Sequence, residues 1–268
     1  MSRYLFDNAA PEASTRFSVL ESSYDPVSRR ALAATGLAPG WRCLEIGGGG
    51  GSLGDWLGAR VGPDGEVTVT DIHPDRALSR RGSANVRVLH HDITRDPLPD
   101  AGYDLVHARL VLIHLPERLR VLQRLAGALR PGGVLVLEDF DCNWTPVLAA
   151  PDAGAAELFE RVHSALLSLL ARAGAEPRWG LRTLGAMRGA GLTDVTATTY
   201  AEAWTGGGTG VGLHRANISQ VASAIGELGV TPDEVSRFLA LLDDPAFVVN
   251  SYPLISTCGR RPQEGGAS

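Results

Sequence analysis

Five consecutive glycines, Gly47 to Gly51, stand between a short apolar run, Arg42 to Ile46, and a stretch that places Leu53, Trp56 and Leu57 on one helical face, Ser52 to Val61. A plain tight turn needs one or two glycines. Five in a row give a backbone that reaches left-handed conformations without steric cost and that lets a ligand approach closely. In an open α/β sheet, ligands bind outside the carboxyl ends of the strands. The run therefore reads as a binding loop that closes a first strand and opens a first helix.

The order of elements continues from there. Gly62 to Gly65 stops the helix, Glu66 to Asp71 alternates as a second strand, and Pro74 starts a short helix as a first-turn proline. Val86 to Leu89 reads as a third strand and Tyr103 to His107 as a fourth. Pro116 to Leu129 carries Leu119, Leu122, Leu125, Ala126 and Leu129 at helical spacing, closes at Pro131-Gly132-Gly133, and feeds a fifth strand, Val134 to Glu138. Strands alternating with helices predict one parallel open sheet. Further on, Ala155 to Ala173 and Leu181 to Gly191 read as helices and Val195 to Tyr200 as a strand. Ala201 to Gly212 is irregular, two helices follow, and the second opens on the capping box Thr231-Pro-Asp-Glu234. Asp243-Asp244-Pro245 ends it, Phe247 to Cys258 reads as a last strand, and Arg260 to Ser268 as a polar tail.

Composition narrows the chemistry. The 268 residues are 44% apolar and 21% charged, which suits a packed chain and rules out wholesale disorder. All 25 basic residues are arginine, so Schiff-base chemistry and a phosphate-loop lysine are excluded. The net charge of −5, with the arginines scattered, argues against nucleic acid or an anionic membrane as the main partner. Cys43, Cys142 and Cys258 are an odd count without paired spacing, which points to a reducing, cytoplasmic compartment. No signal pattern or membrane span is read, and the seven histidines show no ligand spacing with cysteine or acid, so no metal is expected. A homodimer is left open.

Two ligand readings compete for the loop. Gly49-x-Gly51-x-x-Gly54 matches a dinucleotide fingerprint, with Asp71 at a tolerable distance for a ribose, and this keeps an NAD(P)-dependent oxidoreductase as an alternative. That match begins two residues into the loop and leaves Glu45 without a role. An acid at the strand end repels a pyrophosphate and favours a cationic ligand.

Glu45-x-Gly47-x-Gly49-x-Gly51 resembles the first motif of the class I S-adenosylmethionine-dependent methyltransferases, and the resemblance extends over about residues 40 to 140. It implies that Glu45, Gly47, Gly49 and Gly51 hold the amino acid end of the cofactor. Asp71 matches the acid that accepts both ribose hydroxyls, with Ile72 beside it, and Asp92-Ile93 resembles the pair that receives the adenine amine and packs on the ring. Tyr103-Asp104-Leu105-Val106-His107-Ala108-Arg109 resembles the fourth motif; Arg109, at the crevice, is a candidate for cofactor contact, and Asp104 reads as structural. Arg16 and Tyr24 are candidates on an N-terminal segment that folds over the crevice, and His114 is a further one.

The resemblance implies S-adenosylmethionine as donor, S-adenosylhomocysteine as product, and a Rossmann-like, doubly wound, mostly parallel seven-stranded α/β sheet with an antiparallel last strand and a helical cap. The expected organisation is a cap over 1–38, a core over 39–200 and 247–260, and an inserted helical lid over 201–246. An acceptor that must lose a proton benefits from a base, and His214, His163 and His107, the last read at the sheet edge, are the candidates. Each also reads as an ordinary packed or surface histidine. The aromatics outside the core, Phe17, Tyr24, Trp144, Phe159, Trp179 and Trp204, suit a flat hydrophobic small molecule such as a phenolic or indole-like specialised metabolite. A protein that binds the same cofactor but performs a cyclisation is the other alternative.

Overall fold

The computed structural model describes residues 5–6, 11–79, 83–98 and 102–263. A long helix, α1 (Pro11–Ala33), precedes β1 (Arg42–Ile46), α2 (Ser52–Val61), β2 (Glu66–Asp71), α3 (Asp75–Ser79) and β3 (Val86–His90). Then come β4 (Tyr103–Arg109), a single 3-10 turn (Leu112–His114), α4 (Arg118–Ala128) and β5 (Leu129–Phe140). The remainder is β6 (Val147–Ala149), α5 (Ala153–Arg172), α6 (Trp179–Gly189), β7 (Thr193–Tyr200), β8 (Ala203–Thr205), α7 (Gly212–Gly226), α8 (Pro232–Leu241), β9 (Val248–Asn250) and β10 (Leu254–Arg260). Residues 264–268 of the expected polar tail lie outside the described residues.

Seven strands form the main sheet in the order β3-β2-β1-β4-β5-β10-β7. The first five are parallel, and β10 runs antiparallel to both β5 and β7. The chain order reverses at β1, beside β4, which is where an open α/β sheet parts to admit a ligand. Alternation along each strand sends Cys43, Val67, Leu105 and Val136 into a core with Leu57 of α2 and Leu32 of α1. Leu44, Val106, Leu135 and Leu137 go to the opposite face, with Leu122 and Leu125 of α4 and Met187 of α6. Six of the seven residues of β4 are buried, the near-continuous apolar pattern of a strand covered on both faces.

A second sheet, β6-β9-β8, sits with α5, α7 and α8 around Phe159, which is fully buried. Phe159 stacks on Phe238 with ring centroids 5.5 Å apart and tilts against Phe247 at 5.4 Å. The capping box at α8 is formed: the Thr231 side chain accepts from the Glu234 amide, and the Glu234 carboxylate accepts from the Thr231 amide at 2.7 Å. Thr231→Ala is expected to lower stability by about 1 kcal/mol, read as a shift of the urea midpoint at constant slope.

Three expectations need correction. Phe247–Cys258 is not one strand: β9 and β10 belong to different sheets, and Pro253 between them has no amide proton for a ladder. β5 begins at Leu129, because Leu129 already pairs with Tyr103, and the register shifts before Val134 pairs with Leu105; the Pro131-Gly132-Gly133 segment is that irregularity. His107 lies in the central strand of the main sheet instead of at its edge.

Candidate functional site

The glycine loop leaves β1 at the switch point. The backbone carbonyl of Thr70 in β2 accepts from the amides of Gly47 and Gly48, at 2.7 and 3.0 Å, and so ties the loop to the neighbouring strand. Gly47 has φ +67°, and a Cβ there would lie 2.3 Å from the Val111 side chain, so both conformation and space demand glycine. Gly51 does not line the crevice: with φ 85° it turns the chain into α2. Gly54, the third glycine of the dinucleotide fingerprint, is buried within α2 facing Val69, where a Cβ would come within 2.5 Å. Its absence of side chain serves helix-to-strand packing.

A cavity of about 590 Å³ opens over this loop. One side is lined by Glu45, Gly47, Gly49, Asp71, Ile72, Asp92 and Ile93, and Arg16 and Arg109 also line the cavity. Asp71 is fixed by its own backbone surroundings: Oδ2 accepts from the Gly49 amide at 2.9 Å and Oδ1 from the His73 amide at 2.8 Å. Each oxygen keeps a lone pair toward the cavity. Asp92 is committed further, because Oδ1 accepts from the amide and hydroxyl of Thr94 at 2.8 and 2.6 Å and Oδ2 lies 3.5 Å from Arg95. Against its partial burial, those hydrogen bonds and Arg95 hold its carboxyl below the ordinary value.

Helix α1 lies across the loop. A Cβ on Gly49 would meet the ring of Phe17, and one on Gly50 the carboxylate of Glu21. Arg109 anchors this helix: its guanidinium donates to Asp25 at 2.9 Å and to Ser28 at 3.0 Å. Arg109 thus clamps α1 and also borders the cavity. Arg16 is buried on the same helix and donates to Gln220 of α7. Tyr24 is fully buried and donates to the Tyr252 carbonyl at 2.9 Å, which places it in the core and off the crevice. Asp104 is structural, accepting from the Arg42 amide at 2.7 Å and pairing with Arg130.

None of the three candidate bases reaches the cavity wall. His107 is fully buried between two carboxylates, with Nδ1 2.6 Å from Glu45 and Nε2 3.2 Å from Glu138. Ser256 of β10 donates to the other oxygen of Glu138. Burial alone would push the imidazole down, yet the two carboxylates carry it up to about 9, so it stands as an imidazolium and not as a free base. Burial would raise the Glu138 carboxyl, and the bond from His107 holds it below its ordinary value instead. His163 donates Nε2–H to the Cys142 carbonyl at 2.8 Å, and burial lowers its imidazole. His214 is 1% exposed and sits one layer behind the wall, its Nδ1 3.1 Å from the hydroxyl of Tyr252.

The acceptor side of the cavity is mostly apolar: Phe6, Phe140, Leu166, Leu170, Leu213 and Tyr252, with Asn217 and His114 as polar interruptions. Burial, together with Arg16 and Arg118, pushes the His114 imidazole down to about 3, so it is neutral. Of the aromatics expected near a ligand, Phe17 lines the cavity, Tyr24, Phe159, Trp179 and Trp204 are core, and Trp144 is 54% exposed. Phe140, Asn217 and Tyr252 were not singled out by the sequence. Tyr252 precedes Pro253 in what reads as an uninterrupted strand, and that proline was the available signal.

The glycine-lined side suits a cationic nucleoside. Three acids, two of them held by backbone amides, line the cavity beside a glycine loop on which side chains would run into Val111, Phe17 and Glu21, while Ile72 and Ile93 offer apolar surface. A family model described as a methyltransferase domain matches residues 44–135. The ubiquinone/menaquinone biosynthesis C-methyltransferase UbiE of Laribacter hongkongensis is 33% identical over 123 residues, 43% of this chain and 50% of that protein. Methyltransferase str2 of Strobilurus tenacellus is 32% identical over 142 residues, 52% of this chain and 48% of that protein. The chain thus spans about half the length of the curated relatives it matches. Among solved structures, a candidate methyltransferase of Bacillus halodurans superposes with a TM-score of 0.59 at 16% identity, covering 88% of this chain and 98% of the other. A phosphoethanolamine N-methyltransferase of Haemonchus contortus, solved with S-adenosylhomocysteine, gives 0.50 at 14% identity, covering 84% and 50%. The strand order, the acid-flanked glycine loop and the matched segment agree: residues 44–135 are similar to a methyltransferase domain, and the sheet around them has the Rossmann-like fold of solved methyltransferases.

Proposed function

We propose that the protein transfers a methyl group from S-adenosylmethionine to a small, flat, ring-bearing acceptor of a specialised pathway. The observation that carries this reading is the division of one cavity into an acidic, glycine-lined side and an apolar side. When bound, the cofactor supplies a methyl group on a positively charged sulfur, which makes that carbon electrophilic. Glu45 would hold the amino acid end, Asp71 the ribose hydroxyls, and Ile72, Asp92 and Ile93 the adenine. The chain's own part is alignment and exclusion of water, the effects that dominate an in-line displacement. Helix α1 over the loop and the Leu166–Leu170 face of α5 form the dry walls. The quinone-biosynthesis names of the relatives support a quinone-like or phenolic ring, with ring carbon or oxygen as the atom attacked. Three unpaired thiols suit a reducing, cytoplasmic setting, and no helix among the described residues is long and apolar enough to cross a membrane.

Calorimetry with S-adenosylhomocysteine and NAD tests the donor side. S-adenosylhomocysteine is expected to bind and, at 100 times its Kd, to stabilise the fold by about 2.7 kcal/mol. Tight NAD binding with no response to S-adenosylhomocysteine would end the reading in favour of an oxidoreductase. A deuterated methyl donor separates transfer from cyclisation, since only transfer carries the label into the product.

A further inference from the structure

One wall of the acceptor side holds an arrangement of polar groups that apolar packing does not require. Tyr252, in the link between β9 and β10, stacks on Phe140 with centroids 5.3 Å apart and lines the cavity. Asn217 of α7 hydrogen-bonds the Tyr252 oxygen and also lines the cavity. Behind them His214, one turn earlier on α7, contacts the same oxygen at 3.1 Å. Two atoms of this set, Asn217 Oδ1 and His214 Nε2, are buried without a hydrogen-bond partner. Buried polar atoms are rarely left so, and Asn217, which lines the cavity beside Tyr252, marks the place of a polar group that the protein does not itself supply.

We propose that Tyr252 receives the proton of a hydroxyl on the acceptor ring, with His214 as the final proton holder and Asn217 as the residue that positions that hydroxyl. The inference rests on the reading of the cavity as a donor and an acceptor compartment. Burial, reinforced by His163, holds His214 well below the ordinary imidazole value, so it is neutral at rest. The tautomer protonated at Nε2 then leaves Nδ1 to accept from the Tyr252 hydroxyl. His163, whose ring lies 5.9 Å away, is kept neutral by burial and bonded to the Cys142 carbonyl, so it does not compete for the proton.

The step balances. The acceptor's O–H bond breaks as its oxygen, or a ring carbon conjugated to it, forms the new bond to the methyl carbon. The released proton joins Tyr252 Oη while the proton already there moves to His214 Nδ1. The carbon–sulfur bond breaks with its electron pair left on sulfur, and the positive charge lost at the sulfonium reappears on the imidazolium. A carbon acceptor then regains its aromatic ring by releasing the ring proton to solvent. Such positioned proton transfer contributes roughly a hundredfold to ten-thousandfold in rate.

The test uses the full chain saturated with S-adenosylhomocysteine and two fluorescent probes, 2-naphthol and naphthalene. Excited 2-naphthol is a strong acid and emits as naphtholate when a proton acceptor is in hydrogen-bond reach. The unaltered protein is expected to bind 2-naphthol at least about tenfold more tightly than naphthalene, because a site built for a hydroxyl rejects the analogue lacking it. It is also expected to show naphtholate emission. Tyr252→Phe keeps the ring and should abolish that emission and most of the affinity gap, with S-adenosylhomocysteine affinity unchanged. Asn217→Leu, similar in shape, should narrow the gap independently and provides the answer if the tyrosine variant does not fold. Equal affinity for the two probes in the unaltered protein, or naphtholate emission that survives Tyr252→Phe, would overturn the proposal. Loss of S-adenosylhomocysteine binding by the unaltered protein would instead overturn the methyltransferase reading beneath it.

Discussion

His107→Ala is expected to destabilise the protein by about 3–5 kcal/mol, because it leaves two buried carboxylates facing each other with no cation between them. Glu45 and Glu138 are 2% and 0% exposed, and His107 is the cation that bridges them. The trio runs across three adjacent strands: Glu45 is paired with His107 across β1 and β4, and Glu138 of β5, in register with Arg109, reaches His107 diagonally. Loss of the middle member therefore strains three adjacent strands at once. The pH dependence has a definite sign. The His107 value is raised from an ordinary 6.5 to about 9 on folding. Its contribution is thus complete below about 6.5 and is lost as pH rises through about 9, a swing on the order of 3 kcal/mol. Urea melts of the unaltered protein between pH 7 and 10 (an experimental window of about three units) should show a falling midpoint. His107→Gln, which keeps hydrogen-bond donors but cannot carry the charge, should show a much flatter profile. Parallel profiles for the two proteins would mean that the imidazole is not charged between those acids.

The second large effect is expected at Asp71. Asp71→Ala should weaken S-adenosylhomocysteine binding by about 1–3 kcal/mol, roughly 5- to 150-fold in Kd, through two unpaired ribose hydroxyls. The same carboxylate accepts from the Gly49 and His73 amides, so its removal also frees the loop that the ligand must meet. Asp71→Asn retains one acceptor oxygen and should fall between. Calorimetry reads both, and an unchanged Kd in Asp71→Ala would remove this residue from the site.

The glycine-lined side of the cavity was legible because it is local. Glu45, the glycines and Asp71 sit where strand periodicity gives way to a loop, and each such junction is visible within about ten residues of sequence. Gly54 was the ambiguous case: a fingerprint position by spacing, but a packing position by contact, since Val69 lies where its side chain would be. The pairings between distant residues were not legible: His214 was singled out from the sequence, but its partner Tyr252 was not, because the two come from separate parts of the chain. Tyr252 and His214 are 38 residues apart, and Ser256 and Glu138 are 118 apart, separations over which residue spacing carries no geometric information. His107 misled for a related reason. A histidine at the end of an apolar strand reads as an edge residue until the sheet order shows β4 in the middle and an acid on each side.

β7 and β10 lie side by side in the main sheet, with Tyr200 facing Leu254, although the intervening chain leaves to build β8, α7, α8 and β9. The excursion begins and ends at adjacent points, so its length and content can drift without disturbing the strand pairing beneath it. It contributes Leu213, Asn217 and Tyr252 to the apolar compartment, and none of the acids that face the glycine bend. On the function proposed above, a chimera that exchanges this detour between relatives is expected to change which small molecule is accepted and to keep the strand pairing beneath it, with α1 as a shared wall that both must fit.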